Sequence, residues 1–282
     1  MWMFLIVLAA SAWPVDGAPP VIRKDVPYLG TDRAEKGDLY LPPVDSTKPR
    51  PAVVIIHGGG WTSGDKGAKR EINIGTTLAN AGYVCLSINY RLQTKDGPPA
   101  WPGNLHDCKV AVRYLRVHAN DLNIDIKNIG VIGGSAGGHL AAMVGLTGDN
   151  KTLDPVGPYS GVSTRVQAVV DMYGPMADDS KRLERLVPIV GATFSNKPDA
   201  FRAFSPLNHI DASDPPVLIL HGTADTTVDV ADSERFAAAL KKAGTRHELV
   251  IIPGAPHTFD LQPKQRDLRP LVLEFFGKYL KN

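Results

Sequence analysis

Ile129-Gly-Val-Ile-Gly-Gly-Ser135-Ala-Gly-Gly-His-Leu-Ala-Ala-Met-Val-Gly-Leu146 is the stretch that decides the architecture. It opens on a short apolar run without polar alternation, which suits a strand buried on both faces of a parallel sheet. From Ala136 onward it is rich in Ala, Gly and Leu, which suits a helix packed tightly under that sheet. Between the two lies Gly133-Gly-Ser-Ala-Gly137, a G-x-S-x-G pentapeptide. A strand that turns sharply into a helix exposes the serine at the top of the sheet. It also sets the serine at a helix N-terminus, whose partial positive charge favours a developing oxyanion. Glycines flank the serine because the strained turn lets no bulky side chain approach. A phosphate-cradling loop would need a closing Gly-Lys-Ser/Thr, which is absent. Ser135 is therefore the candidate nucleophile.

Outward from this stretch, strand-like and helix-like segments alternate. Apolar strand patterns occupy residues 51–57, 83–89, 129–133, 166–172, 217–221 and 248–252, and residues 26–41 suit an antiparallel edge. Helical patterns occupy 72–81, 105–118, 136–146, 230–243 and 268–280, and the fourth stops at Gly244, a common helix terminator. Such alternation predicts an α/β fold with a mostly parallel central sheet flanked by helices. Residues 173–214 break the rhythm with Asp178-Asp-Ser-Lys-Arg-Leu-Glu-Arg185 followed by Pro and Gly. They read as a small helical insertion over the carboxyl edge of the sheet, where ligands bind in open α/β folds, and so as a candidate lid.

The chain has 282 residues and 43% apolar content, enough for one large domain. Its net charge of +2 gives no electrostatic reason to expect nucleic acid. Met1 to Ala12 carries no charge and is followed by small residues, as in a secretory leader, although the usual cationic start is missing. The expectation is a signal peptide over residues 1–18, one catalytic domain over 19–282, and a secreted or periplasmic protein. The apolar run is too short to span a bilayer comfortably. Export would permit a bridge between Cys85 and Cys108, but both sit in apolar runs and read more naturally as small core residues. No His/Cys cluster has metal-ligand spacing, so no metal is expected.

His57-Gly-Gly-Gly-Trp61 follows the first buried strand, where an oxyanion-hole loop belongs. Gly59 and Gly60 are the expected loop donors, with Trp61 possible in place of one, and the amide of Ala136 completes the set. His57 precedes the serine, the wrong order for the base, and reads as a brace for the loop. Acid and base should follow the serine in the order Asp/Glu, then His. Val217-Leu-Ile-Leu-His-Gly-Thr-Ala-Asp225 runs a buried strand into a carboxylate, and Pro253-Gly-Ala-Pro-His257 puts a histidine past the next strand. Asp225 and His257 are therefore the expected acid and base. Asp229 more naturally starts the following helix, and Asp260 lies too close to His257. Trp61, Trp101 and Tyr173 are the aromatic candidates for substrate binding, with packed-core roles as the alternative.

Taken together, these motifs resemble the α/β-hydrolase esterases. The nearest branches are the hormone-sensitive-lipase-like group and, closer still, the carbohydrate (acetyl, feruloyl) esterase-like group. The resemblance also rests on Gly64-Asp-Lys66, Asn89-Tyr-Arg-Leu92, Trp101-Pro102, Asp107 and Ala111-Val-Arg113. It implies cofactor-free hydrolysis of carboxylic esters, often acetyl or hydroxycinnamoyl esters of carbohydrates, through an acyl-enzyme. The implied partner is a small-molecule or carbohydrate ester; oligomeric state is not legible. Gly134 departs from many lipase-like relatives, which carry an acidic residue there. Kynurenine formamidases share the H-G-G-x-W loop, and an amide hydrolase of that kind is the alternative. A non-catalytic binding module of the same fold is a further alternative, but such proteins usually lose the Ser or His that this chain keeps.

Overall fold

The structure is a computed structural model that describes residues 18–148, 150–176 and 184–281, with the side chain of Arg185 left out. The leader reading falls almost wholly on residues outside that set. Among the described residues, no helix is long and apolar enough to cross a membrane.

Eight strands form one sheet. They are β1 (Val21–Val26), β2 (Gly37–Leu41), β3 (Arg50–Ile56), β4 (Val84–Ile88), β5 (Ile124–Gly134), β6 (Ala168–Met172), β7 (Val217–Gly222) and β8 (His247–Ile252). The spatial order is β1-β2-β4-β3-β5-β6-β7-β8. β2 pairs antiparallel with β1 and β4, and every other neighbouring pair is parallel. The antiparallel edge thus consists of β1 and β2, and it begins at Val21, before the expected segment.

The longer helices are α1 (Lys69–Asn80), α2 (Gly103–Val117), α3 (Ala136–Leu146), α4 (Val230–Ala243) and α5 (Arg269–Leu280). Side-chain alternation along the strands divides the core in two. Val54 and Ile56 meet Leu105, Leu140 and Phe236 on the face covered by α2, α3 and α4. Val53 and Ile55 meet Ile74, Leu78, Val272 and Phe276 on the face covered by α1 and α5. This two-sided burial is why the central strands carry unbroken apolar runs. Cys85 and Cys108 are free and buried on opposite faces, so the bridge that export would permit is not formed.

Local chemistry sets the ends of α4. The Asp229 side chain accepts the Ala231 amide at 3.0 Å, and Gly244 closes the helix in the left-handed region. Within the insertion, the described part forms short helical turns at Val187–Val190 and Pro198–Phe204. Phe204 is buried against Trp61, Trp101 and His139. Trp61 follows β3 and His139 follows β5, which places the insertion at the carboxyl edge of the sheet.

Candidate active site

The register brings the end of β5 beside the ends of β3 and β6. Gly133 pairs with Ile56 and with Asp171, and Gly134 pairs with Met172. The chain then turns at Ser135, with φ 57° and ψ −124°, and enters α3. A non-glycine residue in this region stores strain of about 1–3 kcal/mol and persists only where its surroundings fix it. Two hydrogen bonds do so: the Ser135 amide donates to Met172 O at 2.9 Å, and the His139 amide donates to Ser135 O at 3.0 Å.

His257 Nε2 lies 2.9 Å from Ser135 Oγ, and His257 Nδ1 lies 2.6 Å from Asp225 Oδ2. The other oxygen, Asp225 Oδ1, accepts the amides of Thr227 at 2.8 Å and Val228 at 2.9 Å. Burial raises the Asp225 pKa, but the His257 hydrogen bond and these two amides outweigh it, and the net shift is downward. Asp225 is thus held as an anion. The competitors are occupied elsewhere: Asp229 caps α4, and Asp260 accepts the Gln262 amide at 2.7 Å in a local turn.

The His57 loop is held from beneath. His57 is buried and stacks on Tyr90 at 4.4 Å, and the Tyr90 hydroxyl donates to His57 O at 3.0 Å. Burial pushes His57 down to about 4, so it stays neutral at ordinary pH. Gly59, Gly60 and Trp61 all take positive φ, at 111°, 60° and 59°. Among the described residues, the amides of Gly59, Gly60 and Ala136 donate to no protein acceptor. Several further motifs of the chain are scaffold around this loop. Asn89 takes the Lys66 amide at 2.6 Å and donates to Asp65 at 2.9 Å. Arg91 forms a two-pronged pair with Asp107 at 3.0 Å.

Of the three aromatic candidates, Trp61 and Trp101 are nearly enclosed, with edges turned to Phe204. Tyr173 is fully buried. The turn after β6 directs it inward at φ 46°, and its hydroxyl donates to Phe259 O at 2.6 Å. Its ring meets the His257 imidazole edge-on at 4.9 Å.

Two parts of the site escaped sequence reasoning. The first is Arg70, whose Nη1 donates to the Tyr173 hydroxyl at 3.0 Å while Nε donates to Glu71 at 2.8 Å. Arg70 Nη1 would lie 2.8 Å from a Cβ built on Gly134. The departure at Gly134 thus has a steric reason: a guanidinium fills the space a side chain would need. No local pattern marks a first-turn arginine of α1 as reaching the elbow. The second is His221, fully buried, whose Nε2 lies 3.2 Å from Asp225 Oδ2. Its spacing of four residues before Asp225 was the available signal.

Asp171 is a buried ionisable group beside the elbow helix. Its Oδ1 accepts the Gly174 amide at 2.9 Å. Burial pushes its carboxyl up to about 7, against the pull of that amide and with help from Asp232. The folded chain holds this proton until about pH 7, whereas an unfolded aspartate releases it near pH 4. The resulting stabilisation is complete below pH 4 and is lost as pH rises through 7. Asp171→Asn has no proton to lose. It is expected to raise stability more at pH 8 than at pH 5, by about 3 kcal/mol. Thermal melts at the two pH values check this, and equal effects at both would refute it.

An eight-stranded, mostly parallel sheet with this turn, histidine and carboxylate at its carboxyl edge is the α/β-hydrolase fold. Solved structures of that class superpose over nearly the whole chain. A truncated carbohydrate esterase from gut microbiota matches with a TM-score of 0.83 and 28% identity, covering 96% of this chain and 100% of that one. Esterase 2 of Thermogutta terrifontis, solved with butyrate bound, matches with a TM-score of 0.74 and 29% identity, covering 95% of this chain and 96% of that one. The chain belongs to the BD-FAE family, whose model matches residues 37–240. Among curated relatives, esterase LipC of Mycobacterium tuberculosis is 33% identical over 89% of this chain and 66% of its own length. Esterase LipQ of the same organism is 30% identical over 90% of this chain and 61% of its own. The chain thus spans just under two thirds of the length of these two relatives.

Proposed function

We propose that the chain is a serine carboxylesterase that hydrolyses short-chain acyl esters, acetyl or hydroxycinnamoyl esters of carbohydrates among them, through an acyl-enzyme. The observation that carries this reading is the bond chain from Ser135 Oγ through His257 to Asp225, at 2.9 and 2.6 Å. His257 Nε2 takes the hydroxyl proton as Ser135 Oγ attacks the ester carbonyl. Asp225 holds the tautomer that leaves Nε2 free to accept and stabilises the imidazolium that follows. The oxyanion is received by the amides of Gly59, Gly60 and Ala136, each such donor contributing about 3–4 kcal/mol to the transition state. The alcohol leaves with the proton from His257, and water repeats the sequence on the acyl-enzyme.

Several observations support the substrate class. The structural neighbours include a named carbohydrate esterase, and esterase 2 of Thermogutta terrifontis holds butyrate or propionate. The apolar segment from Met1 to Ala12 supports an exported enzyme acting on esters outside the cytoplasm.

The test sets p-nitrophenyl acetate, p-nitrophenyl octanoate, methyl ferulate, acetylated xylan and N-formylkynurenine against the protein. Cleavage of acetate, ferulate or xylan esters well above the octanoate ester is expected. Preference for N-formylkynurenine would replace the esterase reading with an amide hydrolase on the same scaffold. Asp225→Asn is expected to keep the fold and lower kcat about 10⁴-fold, because the amide favours the wrong imidazole tautomer. Steady-state kinetics with a thermal melt as control checks it, and parental turnover would remove Asp225 from the mechanism.

A further inference from the structure

Asp225 has a second histidine beside it. His221, on β7, places Nε2 3.2 Å from Asp225 Oδ2, the same oxygen that faces His257 Nδ1 at 2.6 Å. His221 Nε2 also lies 3.0 Å from Val228 O, and His221 Nδ1 lies 2.7 Å from Ser233 Oγ on α4. His221 and Ser233 are fully buried, and the Asp225 side chain is enclosed with them.

The chemistry of the partners fixes the protons. A carboxylate oxygen and a carbonyl oxygen both accept only, so the ring nitrogen facing the two must carry a hydrogen. His221 therefore presents Nε2–H, which donates to Val228 O with Asp225 Oδ2 alongside at 3.2 Å. Its Nδ1 then has a lone pair, which accepts the Ser233 hydroxyl hydrogen. His257 has the opposite arrangement: Nδ1–H donates to Asp225, and the Nε2 lone pair accepts from Ser135. One carboxylate is thus flanked by two imidazoles in opposite tautomers, each set by the acceptor oxygen that its ring N–H faces.

We propose that His221 is a positioning residue for the triad, with Ser233 fixing the orientation of its ring. The His221 Nε2–H ties down Val228 O and packs against Asp225 Oδ2, while the Thr227 and Val228 amides hold Oδ1. The carboxylate is then fixed in the one rotamer that meets His257 Nδ1–H. A neutral donor does this without quenching the negative charge that the imidazolium needs. Helix α4 is tied to the site by the same bond, since Ser233 lies one turn inside its start.

This inference rests on the triad reading above, and the experiment separates the two. Turnover of p-nitrophenyl acetate is measured for the parent, His221→Phe, His221→Gln, Ser233→Ala and Ser135→Ala, with thermal melts and proton NMR on each. His221→Phe fills the space without a donor and is expected to lower kcat by about 10²-fold at unchanged KM, the scale of a small misplacement of a catalytic group. His221→Gln restores an N–H near the Nε2 position and is expected to recover most of that loss. Ser233→Ala removes one hydroxyl, loosens the His221 ring, and is expected to lower kcat several-fold with KM unchanged. In His221→Phe and Ser233→Ala the His257 Nδ1–H resonance is expected to move upfield, because an Asp225 carboxylate that is no longer held bonds it less well. A role in folding alone would change the melts and leave both the kcat–KM split and the resonance as in the parent. Parental kcat in Ser233→Ala with an unmoved resonance, or a His221→Phe loss that His221→Gln does not recover, overturns the proposal. Turnover retained by Ser135→Ala would overturn the triad reading instead.

Discussion

Ser135→Ala is expected to lower kcat about a million-fold while leaving the melting temperature within a few degrees of the parent. The size follows from the cooperative nature of such triads, where loss of the nucleophile alone costs nearly as much as loss of the whole set. The small structural effect follows from the way the turn is held. Its φ of 57° is secured by the backbone bonds to Met172 O and from the His139 amide, and neither involves the hydroxyl. Alanine keeps the Cβ and both bonds and loses only the bond to His257. The residual rate over water would come from the oxyanion amides, which the substitution does not touch. The second readout is covalent: the Thermogutta terrifontis neighbour is phosphorylated by paraoxon. The parent is expected to take up one phosphoryl group and Ser135→Ala none, as mass spectrometry would show. An alanine variant with substantial turnover, or one still labelled at a single site, would place the nucleophile elsewhere.

Gly137→Ala is expected to cost a large share of the stability. A Cβ at Gly137 would lie 2.1 Å from Ile56 O and 2.5 Å from His57 O. Both are backbone atoms at the end of β3, inside the sheet and under the loop, so no flexible side chain can give way. Relief requires α3 to back away from β3, which opens the core between them. A loss above about 4 kcal/mol is expected, in the range that single substitutions reach only through such clashes. That corresponds to roughly 10 °C or more in melting temperature for a chain of this size. Activity is expected to fall further than the folded fraction, because the same displacement moves His57 to Gly60 away from Ala136. Gly277→Ala is the contrasting case. It lies within α5 with nothing within 4 Å of a built Cβ, and a gain of about 0.5–1 kcal/mol is expected from helix propensity. Thermal melts of the two variants beside the parent check both. A Gly137→Ala protein as stable as the parent would mean that the elbow is looser than its geometry indicates.

Much of this was legible in the chain because the signals were local. The buried parallel strands announce themselves as unbroken apolar runs, since both of their faces are covered. Helices α3 and α4 have the bounds that composition and the Gly244 stop indicated. The elbow pentapeptide, the glycine-rich loop and the order Ser135, Asp225, His257 name the candidate residues because fixed strand-to-loop positions carry them. What sequence fixed least well were the antiparallel edge, which begins at Val21, and the bounds of α1 and α2, which lack side-chain caps.

The amino-acid sequence by itself determined the alternation of strands and helices, the nucleophile's turn, and which serine, carboxylate and histidine stand at strand ends. Those depend on periodicity, glycine placement and chain order, all of which act over a few residues. Only the tertiary structure decided that Tyr173 turns under His257, that Arg70 takes the space beside Gly134, and that His221 packs beside the oxygen that His257 bonds. Each of these joins residues from different elements: Arg70 and Tyr173 are 103 positions apart, and Asp225 and His257 are 32. Their meeting depends on the sheet order and on which way each strand end turns. A histidine, an arginine or a tyrosine reads alike whether it is buried under a catalytic group or packed anywhere else in the core.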